Sequence, residues 1–476
     1  MESEKKTQFR KFTQGYTFKI LLLIFLVLIL LIPLTMIRGL IRERNRTAES
    51  AEAGIMEAWG SELMTAGPVI AIPGIRTEEI RTRTDRDGEK IDIIKKPFTL
   101  ILTPQKLSIG ADFKTEIRKR GIFSVPLFYG GIAFTGTFDP AQALFSLAPN
   151  EEVSLNQAEL IIALSSQKGI RKIDRAEWCL AEGNGDTKVV GDTKNAGREL
   201  FFQPGSRGLK IARIGSGGIY ADLPEFTNAE SNFDIAITIQ GGKLVRFLPV
   251  GLDTHTNVLA DWPSPSFQGS FLPGSKNIGD EGFDAEWDIN YLSRDVPLFW
   301  RTESGESDNR SGGYGRDYSD YLFGVDFFRA IDTYSLNTRA VKYAILFLIV
   351  PFLTLFLLEV FTKKRIHPVP YLLSGIANII FYLLLLSLSE QMPFFLAYLI
   401  AALAVMIMLT LYSRSLLPSW NKSWYMGIVV TISYVLLYAV LNAESYALLI
   451  GSIGAFVVVA LVMYLTRKLN WYNTEE

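Results

Sequence analysis

FKILLLIFLVLILLIPLTMI, residues Phe18 to Ile37, decides what kind of molecule this is. Lys19 is its one charge, and about twenty apolar residues at 1.5 Å each are enough to cross the hydrocarbon of a bilayer as a helix. Pro33 is tolerable in such a helix. A basic flank of Lys5, Lys6, Arg10, Lys11 and Lys19 leads into the run. The run is too long for a cleaved signal and is followed by Arg38 rather than a small-residue cleavage site, so it reads as a signal anchor.

Five more apolar runs of near-span length come late and close together: Val341–Phe361, Tyr371–Ser389, Phe394–Ser413, Trp424–Leu441 and Tyr446–Leu465. The Lys363-Lys364-Arg365 connector, Arg414 with Lys422, and Arg467 with Lys468 alternate with connectors that hold no basic residue, Glu390–Pro393 and Asn442–Ser445. The positive-inside rule therefore predicts that both termini are cytoplasmic. Arg38, Arg42, Arg44 and Arg46 begin a connection of about 300 residues, and a connection that long is exempt from the rule.

Between the first and second spans the pattern turns to strands. Phe233, Ile235, Ile237 and Ile239 alternate with Asp234, Ala236, Thr238 and Gln240, the period of a half-buried strand. Gly241-Gly242 followed by Leu244, Arg246 and Leu248 predicts a glycine-turn hairpin. Further short runs lie at Phe98–Leu102, Ile132–Phe138, Leu160–Leu164 and Lys188–Val190. Arg38–Met64 reads as a helical continuation of the first span, 81–90 as a solvated hairpin tip, and 301–320 as a loop.

The predicted fold is thus six transmembrane helices, one N-terminal and five C-terminal, with a large β-rich extracytoplasmic domain of antiparallel sandwich type. The expected boundaries are a cytoplasmic 1–17, the anchor at 18–37, the β-rich domain at 38–338, a five-helix bundle at 339–466 and a cytoplasmic tail at 467–476. A net charge of −1 argues against a nucleic-acid partner; membrane lipids are the implied surroundings.

Chemistry is sparse. Two histidines, His255 and His367, and a single cysteine, Cys179, make a histidine metal site, a Ser-His-Asp triad and a disulfide poor readings. Cys179 reads as a small buried residue or, less simply, a reactive thiol. No phosphate loop, His-Glu-x-x-His, Cys-x-x-Cys or Gly-x-Ser-x-Gly string occurs. No catalytic, metal or cofactor residue is therefore assigned, and an enzyme is not expected. Inside the spans, Asn378 is the polar candidate, sharing a helix face with Ser374 and Gly375; Glu359 and Glu390 lie at span ends, within reach of the interface. Asn378 reads as a helix-packing hydrogen bond or as a functional intramembrane group.

Several stretches resemble the CreD family of bacterial inner-membrane proteins: Gly67–Pro73, Trp262–Pro273, Arg339–Phe347, His367–Leu373 and Leu386–Glu390. The string Trp-Pro-x-Pro-x-Phe-x-Gly-x-Phe-Leu-Pro is unusual, and the one-plus-five layout fits as well. The resemblance implies an inner-membrane location with a periplasmic domain and a role in envelope integrity, stress response and tolerance of toxic agents. It implies no settled reaction. Trp262, Pro263, Pro265, Phe267 and Phe271 form either an interaction surface or a core-wrapping loop. The expected partner is an envelope protein or polymer bound by the outer domain. A transporter or lipid-handling protein and an extracytoplasmic hydrolase are the alternatives.

Overall fold

The computed structural model describes residues 16–84, 88–180, 197–207, 214, 217–224, 226–303, 318–327, 333–362, 364–416, 420–443 and 446–467. The strand expected at Lys188–Val190, most of the loop expected at 301–320, and nearly all of both terminal segments lie outside these residues. The chain divides into two compact units, Met1–Glu49 with Ile331–Glu476, and Ser50–Ala330.

Helix α1 is a single 44-residue helix, Tyr16–Trp59, with Pro33 inside it. It runs past the apolar stretch because Arg38–Trp59 is rich in good helix formers. It stops at Trp59, short of the expected Met64. Gly60 (φ 152°) and Ser61 (φ 61°) turn the chain there, and both of their N–H groups donate to the Met56 carbonyl, at 2.8 and 2.7 Å.

Strands β1 (Leu63–Thr84), β2 (Gly88–Leu102), β3 (Lys106–Arg120) and β4 (Phe123–Phe138) follow. After the short helix α2 (Ala141–Phe145) come β5 (Glu151–Val153), β6 (Glu159–Leu164), β7 (Ile170–Leu180), β8 (Arg198–Glu199) and β9 (Gln203–Pro204). The series goes on with β10 (Gly218–Asp222), β11 (Ser231–Gly242), β12 (Leu244–Leu248), β13 (Asp253–Ala260) and β14 (Pro265–Gly269). It closes with β15 (Ser275–Gly279), β16 (Gly282–Asn290), β17 (Phe299–Glu303) and β18 (Phe323–Phe327).

Two mostly antiparallel sheets result. The first has the order β14-β18-β12-β1-β6-β10-β9, with β2 and β5 also on β1 and β17 on β2; the second has the order β15-β16-β13-β3-β4-β11-β7-β8. Two pairs, β1 with β12 and β3 with β13, are parallel. One core lies between the inner faces. Phe128 meets Phe327 at 5.1 Å between ring centroids, and Trp287 meets Phe323 at 5.5 Å, each pair joining one sheet to the other.

The alternation at Phe233–Ile239 is a strand, but the glycine hairpin expected after it is not formed. β11 pairs β4 and β7 in the second sheet, whereas β12 pairs β1 and β18 in the first. Gly241 and Gly242 belong to the strand, and they are small because a Cβ would stand 2.5 Å from the Phe128 ring and 3.0 Å from Met56 and Leu127. Lys243 (φ 63°) makes the turn that carries the chain between sheets.

The membrane unit adds α3 (Thr333–Thr362), α4 (Pro368–Ser389), α5 (Phe394–Leu416), α6 (Trp420–Asn442) and α7 (Ala447–Thr466) to α1. All six helices are long and apolar enough to span a bilayer. In α1, Leu26, Leu30, Leu34, Ile37 and Ile41 are buried at steps of three and four, while Ile24, Phe25, Leu28, Ile32 and Met36 face outward. Gly375 of α4 gives Leu30 its place, since a Cβ there would sit 2.2 Å from a Leu30 methyl.

Candidate functional site

Polar side chains buried in the membrane unit collect at three levels. At the first, Lys19 of α1 donates to both carboxylate oxygens of Glu359 on α3 and, at 2.7 Å, to the carbonyl of Ile366 before α4. Tyr371 of α4 donates to Glu359 Oε2 at 2.7 Å. Glu359, near the end of its span, is 5% exposed and packed inside the bundle. A buried carboxylate is tolerable when paired and hydrogen-bonded, as this one is. Three separate chain segments meet here, with Lys19 and Ile366 347 residues apart in sequence.

The second level is centred on Asn378. Its amide donates to Phe347 O on α3 at 2.8 Å and its carbonyl accepts from the Tyr434 hydroxyl on α6 at 3.0 Å. Tyr398 of α5 donates to Tyr434 O at 2.6 Å. Four helices are thereby joined through side chain and backbone. Tyr382 lies against Phe381 nearby, its buried hydroxyl without a hydrogen-bond partner among the described residues.

At the third level Asn337 donates to Ser389 Oγ at 2.9 Å. Glu390 accepts from the Tyr334 hydroxyl at 3.3 Å and stands 3.7 Å from Arg44 Nε. Arg38 donates to Val341 O at 3.2 Å. Helix α1 is held by polar contacts at both ends of its apolar stretch, with leucines and isoleucines between them.

In the β-rich unit the Trp-Pro segment is largely core. Trp262 is 8% exposed, packs edge-on to Phe327 at 6.3 Å, and donates its indole N–H to Ser264 O at 3.1 Å. Phe267 lies edge-on to Phe283 and to Trp287, both at 5.8 Å, and Phe271 edge-on to Phe323 at 6.2 Å. Of the two readings, these contacts favour the core-wrapping loop: among the described residues β14 is the edge strand of the first sheet, and its Phe267 ring packs on β16 of the opposite sheet. Pro263 is exposed and Pro265 half-buried; lacking N–H groups, prolines suit such an edge.

A second charge cluster escaped the sequence reading. The buried carboxylate of Glu151 bonds Arg76 at 2.9 Å and Arg301 at 3.0 Å and accepts from the Ala148 N–H at 3.1 Å. Burial alone would raise this carboxyl; the Ala148 N–H, Arg76 and Arg301 together outweigh it and hold it below the ordinary value of 4.5. A carboxyl lowered on folding contributes stability that is complete above its unfolded pKa and is lost as pH falls through the folded one. Glu151→Gln is therefore most destabilising at neutral pH. The gap to wild type should narrow on acidification from pH 6 toward pH 3, followed by tryptophan fluorescence in detergent.

Among the described residues, no three His, Cys, Asp or Glu side chains group as metal ligands. Cys179 is half-buried, and desolvation followed by Glu177 and Asp234 raises its thiol, the opposite of an activated nucleophile.

Six bilayer-length helices with a two-sheet β unit between the first and second define a multi-pass membrane protein. The model of one family, inner membrane protein CreD, matches residues 15–472, and the chain belongs to that family. Inner membrane protein CreD of Escherichia coli (strain K12) is 30% identical over 448 residues, 94% of this chain and 91% of that protein.

Proposed function

We propose that this chain is a non-enzymatic inner-membrane protein that supports envelope integrity and the envelope stress response. Its β-rich domain faces the periplasm and binds an envelope component or partner protein, while the six-helix bundle anchors it with both termini in the cytoplasm. The observation that carries this reading is the use made of the buried polar groups of the bundle. Lys19 and Glu359 neutralise each other, and Asn378 has both ends of its amide bonded to neighbouring helices. A translocation pathway needs ionisable groups that can exchange partners; these are committed to holding helices together. The distribution of Lys and Arg beside the last five spans supports the orientation.

The orientation is tested with thiols in a Cys179→Ser background. Phe145, 93% exposed in the β-rich unit, and Arg467, after the last span, are each replaced by cysteine. A membrane-impermeant maleimide should label Phe145→Cys in spheroplasts and Arg467→Cys only after lysis. The reverse labelling would overturn the orientation. The role itself is tested by restoring resistance to envelope stress in cells that lack the native copy.

A further inference from the structure

Arg38, Arg42 and Arg46 follow one another at steps of four along α1. Residues four apart on a helix are neighbours, about 40° round from each other, and like charges at that spacing repel. No carboxylate relieves Arg42: the positions three and four residues away are Arg38, Gly39, Asn45 and Arg46. Among the described residues Arg42 has neither a hydrogen bond nor an ion pair. The acids of this region are turned away or taken. Glu43 lies about 100° round the helix from Arg42. Glu49, about 10 Å further along, accepts from the Asn45 amide at 2.8 Å. Glu390 stands beside Arg44 and Tyr334. Arg46 has Glu43 and Glu49 three residues to either side, so its charge has local company that Arg42 lacks.

Helix α3 adds another cation. Arg38 donates to Val341 O at 3.2 Å, which sets its guanidinium against the turn of α3 that carries Lys342. Lys342 is exposed and, among the described residues, has no hydrogen bond or ion pair either. Gly39 leaves the space beside Arg38 and Arg42 open, since a Cβ there would meet nothing within 4 Å.

The depth suits a lipid headgroup. The apolar stretch of α1 ends at Ile37, so Arg38 follows directly on it and Arg42 stands about one turn beyond. The headgroup layer of a bilayer is roughly 5–8 Å thick on each side, which spans that interval. On the hydrocarbon side of the cations both helices turn aliphatic side chains outward, Ile32 and Met36 on α1 and Ile345 and Ile349 on α3. Lys342, Ile345 and Ile349 are three and four residues apart and share one face. Cations above an aliphatic wall match a molecule with a phosphate above its acyl chains.

We infer that Arg38, Arg42 and Lys342 form a headgroup site for an anionic phospholipid, in the leaflet from which α1 leads into the β-rich unit. The phosphate accepts from the N–H groups that Arg38 does not give to Val341 and balances the charges of Arg42 and Lys342. A zwitterionic headgroup brings an ammonium to the same cations and is disfavoured. The inference concerns the membrane unit alone and stands whether or not the β-rich unit binds a partner.

The test reads lipid at the site itself. Met36, 70% exposed on α1, is replaced by cysteine in a Cys179→Ser background and labelled with bimane. The full chain is then placed in phosphatidylcholine vesicles. Phosphatidylglycerol with a nitroxide high on its acyl chain should quench half-maximally at about a tenfold lower mole fraction than phosphatidylcholine with the same label. One cation near an anionic lipid is worth roughly fivefold, so Arg42→Gln, Lys342→Gln should bring the two lipids within about twofold. Heat inactivation should stay as in wild type, because neither side chain has a protein partner to lose. Arg42→Lys, Lys342→Arg should keep the preference. So should Arg365→Gln, Arg467→Gln, which removes cations beyond the far end of α3 and after α7. The inference fails if wild type shows no preference, if the glutamine pair at 42 and 342 keeps it, or if the pair at 365 and 467 abolishes it as fully.

Discussion

Lys19→Met destabilises the membrane unit by about 3–5 kcal/mol, the cost of leaving one member of a buried ion pair alone. Glu359 then keeps the Tyr371 hydroxyl and loses its counter-charge, at a position where it is 5% exposed. Its buried carboxylate is then left without the ammonium that balanced it, which is unfavourable. Glu359→Leu should be milder. Lys19 sits near the start of α1, and its ammonium can reach the interface along its own aliphatic stem once released. The double variant Lys19→Met, Glu359→Leu should recover most of the loss, because an apolar pair of similar volume needs no desolvation. Heat inactivation in detergent and the steady-state level in membranes measure all three. If the double variant is as unstable as the sum of the singles, the two residues are not coupled and the assignment of the lock is wrong.

Trp262→Ala should cost about 3–5 kcal/mol, the range for removing a large aromatic from a packed core. The indole closes the contact between the β14 end of the first sheet and Phe327, and Phe267 and Phe271 continue that contact onto Phe283, Trp287 and Phe323. Against a total stability of roughly 5–15 kcal/mol the loss is large enough to lower the amount of protein in the membrane. Pro263→Ala, at an exposed site in the same string, should leave the level within about twofold of wild type. Membrane level and envelope protection are scored together. A Trp262→Ala chain at normal level that no longer protects would return the segment to the status of a recognition surface.

How far the sequence carried depended on how local the signal was. The spans were legible because length and uninterrupted hydropathy are properties of one segment, and each observed helix overlaps its expected run. The sheets were half legible. Alternation placed Phe233–Ile239 in a strand, yet the partner of the next strand is chosen by packing, and Gly241-Gly242 looks the same whether glycine turns a chain or makes room for Phe128. The Trp-Pro string was noticed for its rarity, but rarity does not tell an inward ring from an outward one.

The lock at Lys19 was visible in part. That residue is the one charge in an otherwise apolar run, which was read as a flank because its partner, Glu359, lies about 340 residues away. No periodicity links the two. Asn378 stands out in the sequence as a polar side chain within a span, whereas Tyr434 and Tyr398 do not, since a tyrosine in a span carries no sign of whether its hydroxyl faces lipid or a neighbouring helix. Glu151, Arg76 and Arg301 sit among dozens of other charges and meet through the topology of the first sheet alone.

The central claim is that the buried charges of the bundle hold helices together and carry nothing across. The most direct test expresses Lys19→Met, Glu359→Leu in cells without the native copy and compares resistance to envelope stress at matched membrane level. The account predicts protection equal to wild type. Protection lost at normal level would contradict it, since the ion pair would then be part of what the protein does rather than of how it stands.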